Sequence, residues 1–251
     1  MFKYRLVDDN NSLLISRFIN NNNNNRKELI IPSSEQNKKV KYIGIASFCD
    51  ETKLIKVAFS QYIEEIGRKA FKNSYLQEVI LNHIIREIRD EAFQNNYFLK
   101  NINLQDTEIV NLGKFVFRSC IRLEEMIFPK TIKYVGYGLF YDCERLKKVD
   151  VGSLLALPEK IFFKCVSLEK VYLNNVNFIG KYAFCGCVKL KEIYIGKDVE
   201  FINNTAFRKK INSNENLNIT IVCEEGSYAK RFAKENKIKF RVNEKKENKN
   251  G

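Results

Sequence analysis

The chain has 251 residues, 45% of them apolar and 29% charged, proportions that fit an ordinary globular protein. No stretch approaches the roughly 20 apolar residues needed to cross a bilayer, and seven cysteines cannot all pair within one chain, which suits a reducing compartment. A net charge of +13 raises a nucleic-acid or anionic-surface reading, but segments such as "KLKEIYIGKDVE" (189–200) carry both signs, whereas a phosphate-tracking face gathers cations.

The N-terminal "MFKYRLVDDNNSLLISRF" lacks the apolar segment of a signal peptide, because Asp8, Asp9, Asn10 and Asn11 break it, so a cytoplasmic location is expected. Within residues 1–39, "YRLVD", "LLISRFI" and "ELIIP" read as capping strands, and the Asn run 20–25 reads as a disordered surface loop. From residue 40 the chain repeats itself. Eight phenylalanines, Phe48, Phe71, Phe93, Phe117, Phe140, Phe162, Phe184 and Phe207, stand 22 to 24 residues apart. Four residues before each lies Gly44, Gly67, Arg89, Gly113, Gly136, Pro158, Gly180 or Asn203, preceded by an aliphatic residue. A leucine and a short alternating segment such as "VYL" (171–173) or "IYI" (193–195) follow each Phe.

The alternation predicts a strand with one buried face. The Gly-x-x-small-Phe segment predicts a helical turn, since Pro158 and Asn203 suit helix starts. Pro158 also holds φ negative, so the glycines of that column are not there for positive φ. A unit this small cannot bury its own apolar side, and successive coils must stack. The prediction is an α/β solenoid over 40–223: about eight coils of 22–24 residues, parallel strands on one face, short helical turns on the other. Residues 224–242 predict a helix-and-strand cap, with Ser227 as helix N-cap and Tyr228, Phe232 and Ala233 turned to the last coil. The charged tail 243–251 predicts disorder.

The pattern I-G-x-x-A-F-x-x-C-x-x-L-x-x-V-x-L resembles the BspA-type leucine-rich repeat over residues 40 to about 223. The flanks "ELIIPSS" (28–34) and "GSYAKRFAKENKIKF" (226–240) resemble that family's lead-in and exit. Arg89 and Pro158 depart from its glycine, and the column cysteine is missing from the first three copies and the last. The resemblance implies a leucine-rich repeat solenoid capped at both ends. It also implies a second functional reading, a cell-surface or secreted adhesin-like protein binding host or matrix proteins.

The residues offer little chemistry. Cys120, Cys143, Cys165 and Cys187 fall in one column of four consecutive coils, but parallel side chains do not converge as tetrahedral zinc requires. They read as a buried thiol ladder. Cys49 and Cys185, each just after a ladder Phe, are expected to be more exposed and to label first. The sole histidine, His83, reads as a solvated loop residue. Glu64–Glu65 and Glu124–Glu125 read as solvent-facing, and no phosphate loop, metal helix or nucleophile elbow is present. No catalytic residue, metal, cofactor or small-molecule substrate is therefore expected.

Function then lies in what the stack displays. Outward strand positions form two columns: Ala58, Ile80, Asn103, Ile127, Asp150, Tyr172, Tyr194 and Thr220, and Tyr42, Glu65, Glu87, Asn111, Tyr134, Ala156, Phe178 and Phe201. Aromatics gather toward the C-terminal half at Tyr134, Tyr172, Phe178, Tyr194 and Phe201, and aromatics supply much of the energy at interfaces. The expectation is a monomeric, non-catalytic scaffold that binds an unidentified protein partner through this surface, with nucleic acid the weakest alternative.

Overall fold

A computed structural model describes residues 1–19, 27–173 and 175–243; the Asn run and residues 244–251 of the tail lie outside the described residues. The chain winds as a solenoid in which each coil contributes two short strands and a run of turns. One strand column begins at Glu28–Ile30, continues through Lys56–Ala58 and Glu78–Ile80, and ends at Thr220–Cys223 and Lys239–Val242. It holds ten strands rather than eight, because the caps supply a turn of their own at each end: Glu28–Ile30 pairs parallel with Lys56–Ala58, and Lys239–Val242 with Thr220–Cys223. The second column runs from Lys38–Ile43 to Phe201–Ile202. Ten coils at about 4.8 Å make a stack of roughly 45–50 Å.

Inside, the eight repeat phenylalanines are wholly buried and form one ring stack. Successive centroids lie 4.7 Å (Phe48–Phe71) to 5.9 Å (Phe93–Phe117) apart. The caps continue it. β1 (Phe2–Val7) and β2 (Ser12–Phe18) form an antiparallel hairpin that pairs with Lys38–Ile43 and sets Phe18 5.2 Å from Phe48. At the other end α1 (Tyr228–Glu235), capped by the Ser227 hydroxyl accepting from Lys230 N–H, brings Phe232 within 6.3 Å of Phe207. The apolar ends of the ring stack are thereby kept from water.

The Phe segments are not helical. Backbone bonds run from residue i to i−3, as in Ala70 to Gly67, Lys72 to Lys69 and Asn96 to Phe93, and link consecutive β-turns. A right-handed helix cannot form because two positions per coil are left-handed. One lies two residues before the Phe (Ala46, Lys69, Glu91, Phe115, Gly138, Lys160, Tyr182); the other lies two after it (Asp50, Asn73, Asn95, Ser119, Asp142, Lys164, Gly186). Inter-coil bonds hold this geometry. N–H groups at the Phe and at those two positions donate to the next coil, as in Phe93 to Val116, Glu91 to Lys114 and Asn95 to Arg118. These backbone donors of the turn face all point one way along the stack.

The glycine column serves close approach. None of Gly44, Gly67, Gly113, Gly136 and Gly180 has positive φ, but a methyl at Gly136 would sit 2.5 Å from the carbonyl carbon of Gly113 and the amide nitrogen of Lys114 in the coil before. The N–H groups of this column also bond the preceding coil, Gly136 to Leu112 and Gly180 to Leu157. Pro158 has no N–H to give. The second strand column divides at that point, into one sheet ending at Tyr134–Val135 and another beginning at Ala156–Leu157.

Candidate interaction surface

Strand alternation turns Val171 and Ile193 into the core and leaves Tyr172 and Tyr194 outside. The two tyrosines line one hollow of about 650 Å³ with Lys170, Lys191 and Glu192 on its sides. The Lys148 ammonium lies 5.8 Å from the Tyr172 ring centre. The Tyr194 hydroxyl donates to Glu224 Oε1 at 3.2 Å, tying the surface to the C-terminal cap. Burial, with Glu224 beside it, raises the Tyr194 pKa, so the phenol keeps its proton at neutral pH. On the second column Phe178 and Phe201 are register partners, stacked with centroids 5.1 Å apart and planes 14° from parallel. All four are exposed by about two-fifths, and Tyr134 by 69%. Tyr134 is not part of the group: its strand ends one sheet, and Ala156, the column position on the next coil, lies between it and Phe178 in the sheet that follows. One column member is corrected. Tyr194 pairs with Val222, not Thr220, because the insertion 209–216 shifts the register of the last repeat, and Val222 is buried.

The reactive side chains are not assembled for chemistry. Each ladder thiol donates to the carbonyl of the Phe one coil back, Cys143 to Phe117 and Cys165 to Phe140 both at 3.0 Å. Burial pushes the four ladder thiols far up, where a thiol is neither nucleophile nor metal ligand. Ser74 and Asn96 occupy the same position in coils without the cysteine and donate to Phe48 and Phe71. The column is therefore a donor column, which its shared small polar or thiol character could have signalled. Cys49 is half-buried, but Cys185 is only 1% exposed, contrary to the expectation from its place after the Phe. Insertion residues Lys209, Lys210 and Ile211 border it. His83 is 74% exposed, 3.4 Å from Glu108 Oε1. Among the described residues no three His, Cys, Asp or Glu side chains gather as metal ligands.

The profile of the BspA type leucine rich repeat region, with six copies, matches residues 15–110 and 86–214. The chain belongs to the BspA-type leucine-rich repeat family. A T. pallidum leucine rich repeat protein of known structure is 26% identical, with a TM-score of 0.68 over 75% of this chain and 87% of its own. A leucine rich cell surface protein from Faecalibacterium prausnitzii shares the fold at 16% identity, with a TM-score of 0.54 over 88% of this chain and 86% of its own. No curated protein matches the sequence.

The BspA-type repeats carry a second aromatic group that the column reading passed over, on the turn face. Arg118 lies 5.3 and 5.0 Å from the ring centres of Phe115 and Tyr141, and Lys160 donates to the Tyr137 hydroxyl at 2.7 Å. Some ion pairs elsewhere tie coil to coil: Lys41 pairs with Glu64, Arg89 with Glu65 and Lys147 with Glu124. Of the acids expected to face solvent, Glu124 and Glu125 are exposed and Glu64 and Glu65 half-buried. No described helix is long and apolar enough to cross a membrane.

Proposed function

We propose that this BspA-type repeat protein is a non-catalytic binding module that holds a protein partner against Tyr172, Tyr194, Phe178 and Phe201. The observation that carries the reading is their exposure, Phe178 and Phe201 stacked in register and Tyr172 and Tyr194 lining one hollow, on a scaffold whose interior is fixed by the Phe stack. Aromatics held this way lose little conformational entropy when covered, so they make efficient contacts. The chemistry supports the absence of catalysis: the buried thiols stay protonated and the lone histidine has a surface carboxylate for company. Tyr134, set apart on the preceding sheet, belongs to the rim.

The test compares the parent with Tyr172→Ala/Tyr194→Ala in partner capture and in thermal unfolding. Capture is lost while Tm stays within about 5 °C, because each side chain is already partly in water. A variant that captures as well as the parent refutes the surface; one that fails to fold shows the tyrosines to be structural. Whether the partner pool is intracellular, as expected of a scaffold, or extracellular, as a cell-surface relative suggests, is answered by protease treatment of intact cells beside a cytosolic control.

A further inference from the structure

On the turn face, the position one past each ladder Phe is filled by Arg118, Tyr141, Phe163 and Cys185 in four successive coils. Tyr141 and Phe163 stack at 4.6 Å, with Arg118 over Tyr141. At Cys185 the column shrinks from a ring to a thiol, and its neighbour Gly186 has no side chain. A hollow of about 370 Å³ opens there, floored by Tyr141, Phe163 and Cys185 and walled by Lys164, Lys210 and Ile211. Ile211, Lys164 and Lys210 are exposed. Lys209 at the same rim is neutralised by Glu215 at 2.8 Å. Among the described residues neither Lys164 nor Lys210 has a carboxylate within ion-pair distance, unlike Lys209 beside them.

An apolar floor between two unpaired ammonium groups fits an apolar side chain with anionic groups on either side. We propose that this hollow docks an acidic peptide segment of a partner protein, with one aromatic or aliphatic side chain in the cavity and flanking carboxylates on Lys164 and Lys210. The site is distinct from the strand surface and does not depend on it. Two other anionic partners fit less well. Stacking on single-stranded nucleic acid needs an open ring face, but Tyr141 lies between Arg118 and Phe163, and Phe163 itself is buried. Insertion into a bilayer needs a protruding apolar face, but here Ile211 is exposed on its own among lysines while Phe163 is buried.

The chain contains no tryptophan, so a short peptide with one Trp flanked on both sides by Glu and Asp reports its own binding by fluorescence. Its emission is expected to shift to the blue saturably with the full chain. Lys164→Glu/Lys210→Glu is expected to weaken binding about tenfold or more through like-charge repulsion, with Tm unchanged, and Tyr172→Ala/Tyr194→Ala to leave it unaltered. No saturable shift, or equal binding by the charge-reversed variant, overturns the proposal. So does stronger binding of an oligouridine or of phosphatidylserine vesicles that an excess of the acidic peptide fails to displace.

Discussion

Replacing glycine by alanine in a negative-φ position ordinarily stabilises a protein by about 0.4–1 kcal/mol, because the unfolded chain has less freedom to lose. Gly136→Ala is expected to do the reverse. Its methyl would meet the carbonyl carbon of Gly113 at 2.5 Å, the amide nitrogen of Lys114 at 2.5 Å and the Gly113 carbonyl oxygen at 2.7 Å. Heavy atoms attract best at roughly 3.5–4 Å, so the new atom overlaps three others by about 1 Å. All three are backbone and are held in the inter-coil ladder, so no side chain can swing away. Overpacking of this kind costs about 1–3 kcal/mol; set against the entropic gain, the net loss is about 1–2 kcal/mol. For a chain of this size that lowers Tm by roughly 2–8 °C. Gly196→Ala is the control, because the nearest heavy atom its methyl meets is Tyr194 Cε1 at 3.9 Å, and it should melt with the parent or slightly above. Calorimetry or circular dichroism compares the two. Equal melting of Gly136→Ala and Gly196→Ala would refute the close-approach reasoning.

The donor role of the thiol column predicts that Cys165→Ser is more stable than Cys165→Ala by about 0.5–1.5 kcal/mol, the net worth of a hydrogen bond, in the same melts; the reverse order would reduce the column to packing. Cys49 labels first among the seven thiols, yet slowly. Burial, followed by the Asp50 carboxylate, pushes its pKa up to about 11, so at pH 8 it carries roughly a hundredfold less thiolate than an ordinary cysteine. Its labelling rate should rise about tenfold per pH unit until near 11, while Cys185 stays unlabelled until the protein unfolds; a flat pH profile at Cys49 or native labelling of Cys185 contradicts the burial described.

The period, the buried Phe stack and the outward columns were legible because each depends on spacing alone, and Ser227 declared its helix in the usual way. The turn geometry was not. Lys69, Glu91 and Lys160 hold left-handed positions although they are good helix formers, because the bonds from coil to coil outweigh local preference. The signal lay in the companion column, where Asp50, Asn73, Asn95, Asp142 and Gly186 are residues that tolerate positive φ. The two outermost strands were read as caps and not counted as coils because "ELI" and "KFRV" have the alternation without a repeat Phe to register it. Cys185 was placed from its own coil, whereas an insertion in the next coil borders it.

The one-way run of donors along the turn face gives the molecule a front and a back that cannot be exchanged. On the turn face a coil offers backbone N–H groups forward and carbonyls behind, so a coil that keeps these turns meets both neighbours through the same bonds. The ends meet different requirements, and the chain answers with unlike closures, a hairpin at one and a helix with a strand at the other. Lengthening by internal duplication therefore leaves both closures untouched, and reach can change across descendants while the means of ending the stack stays the same.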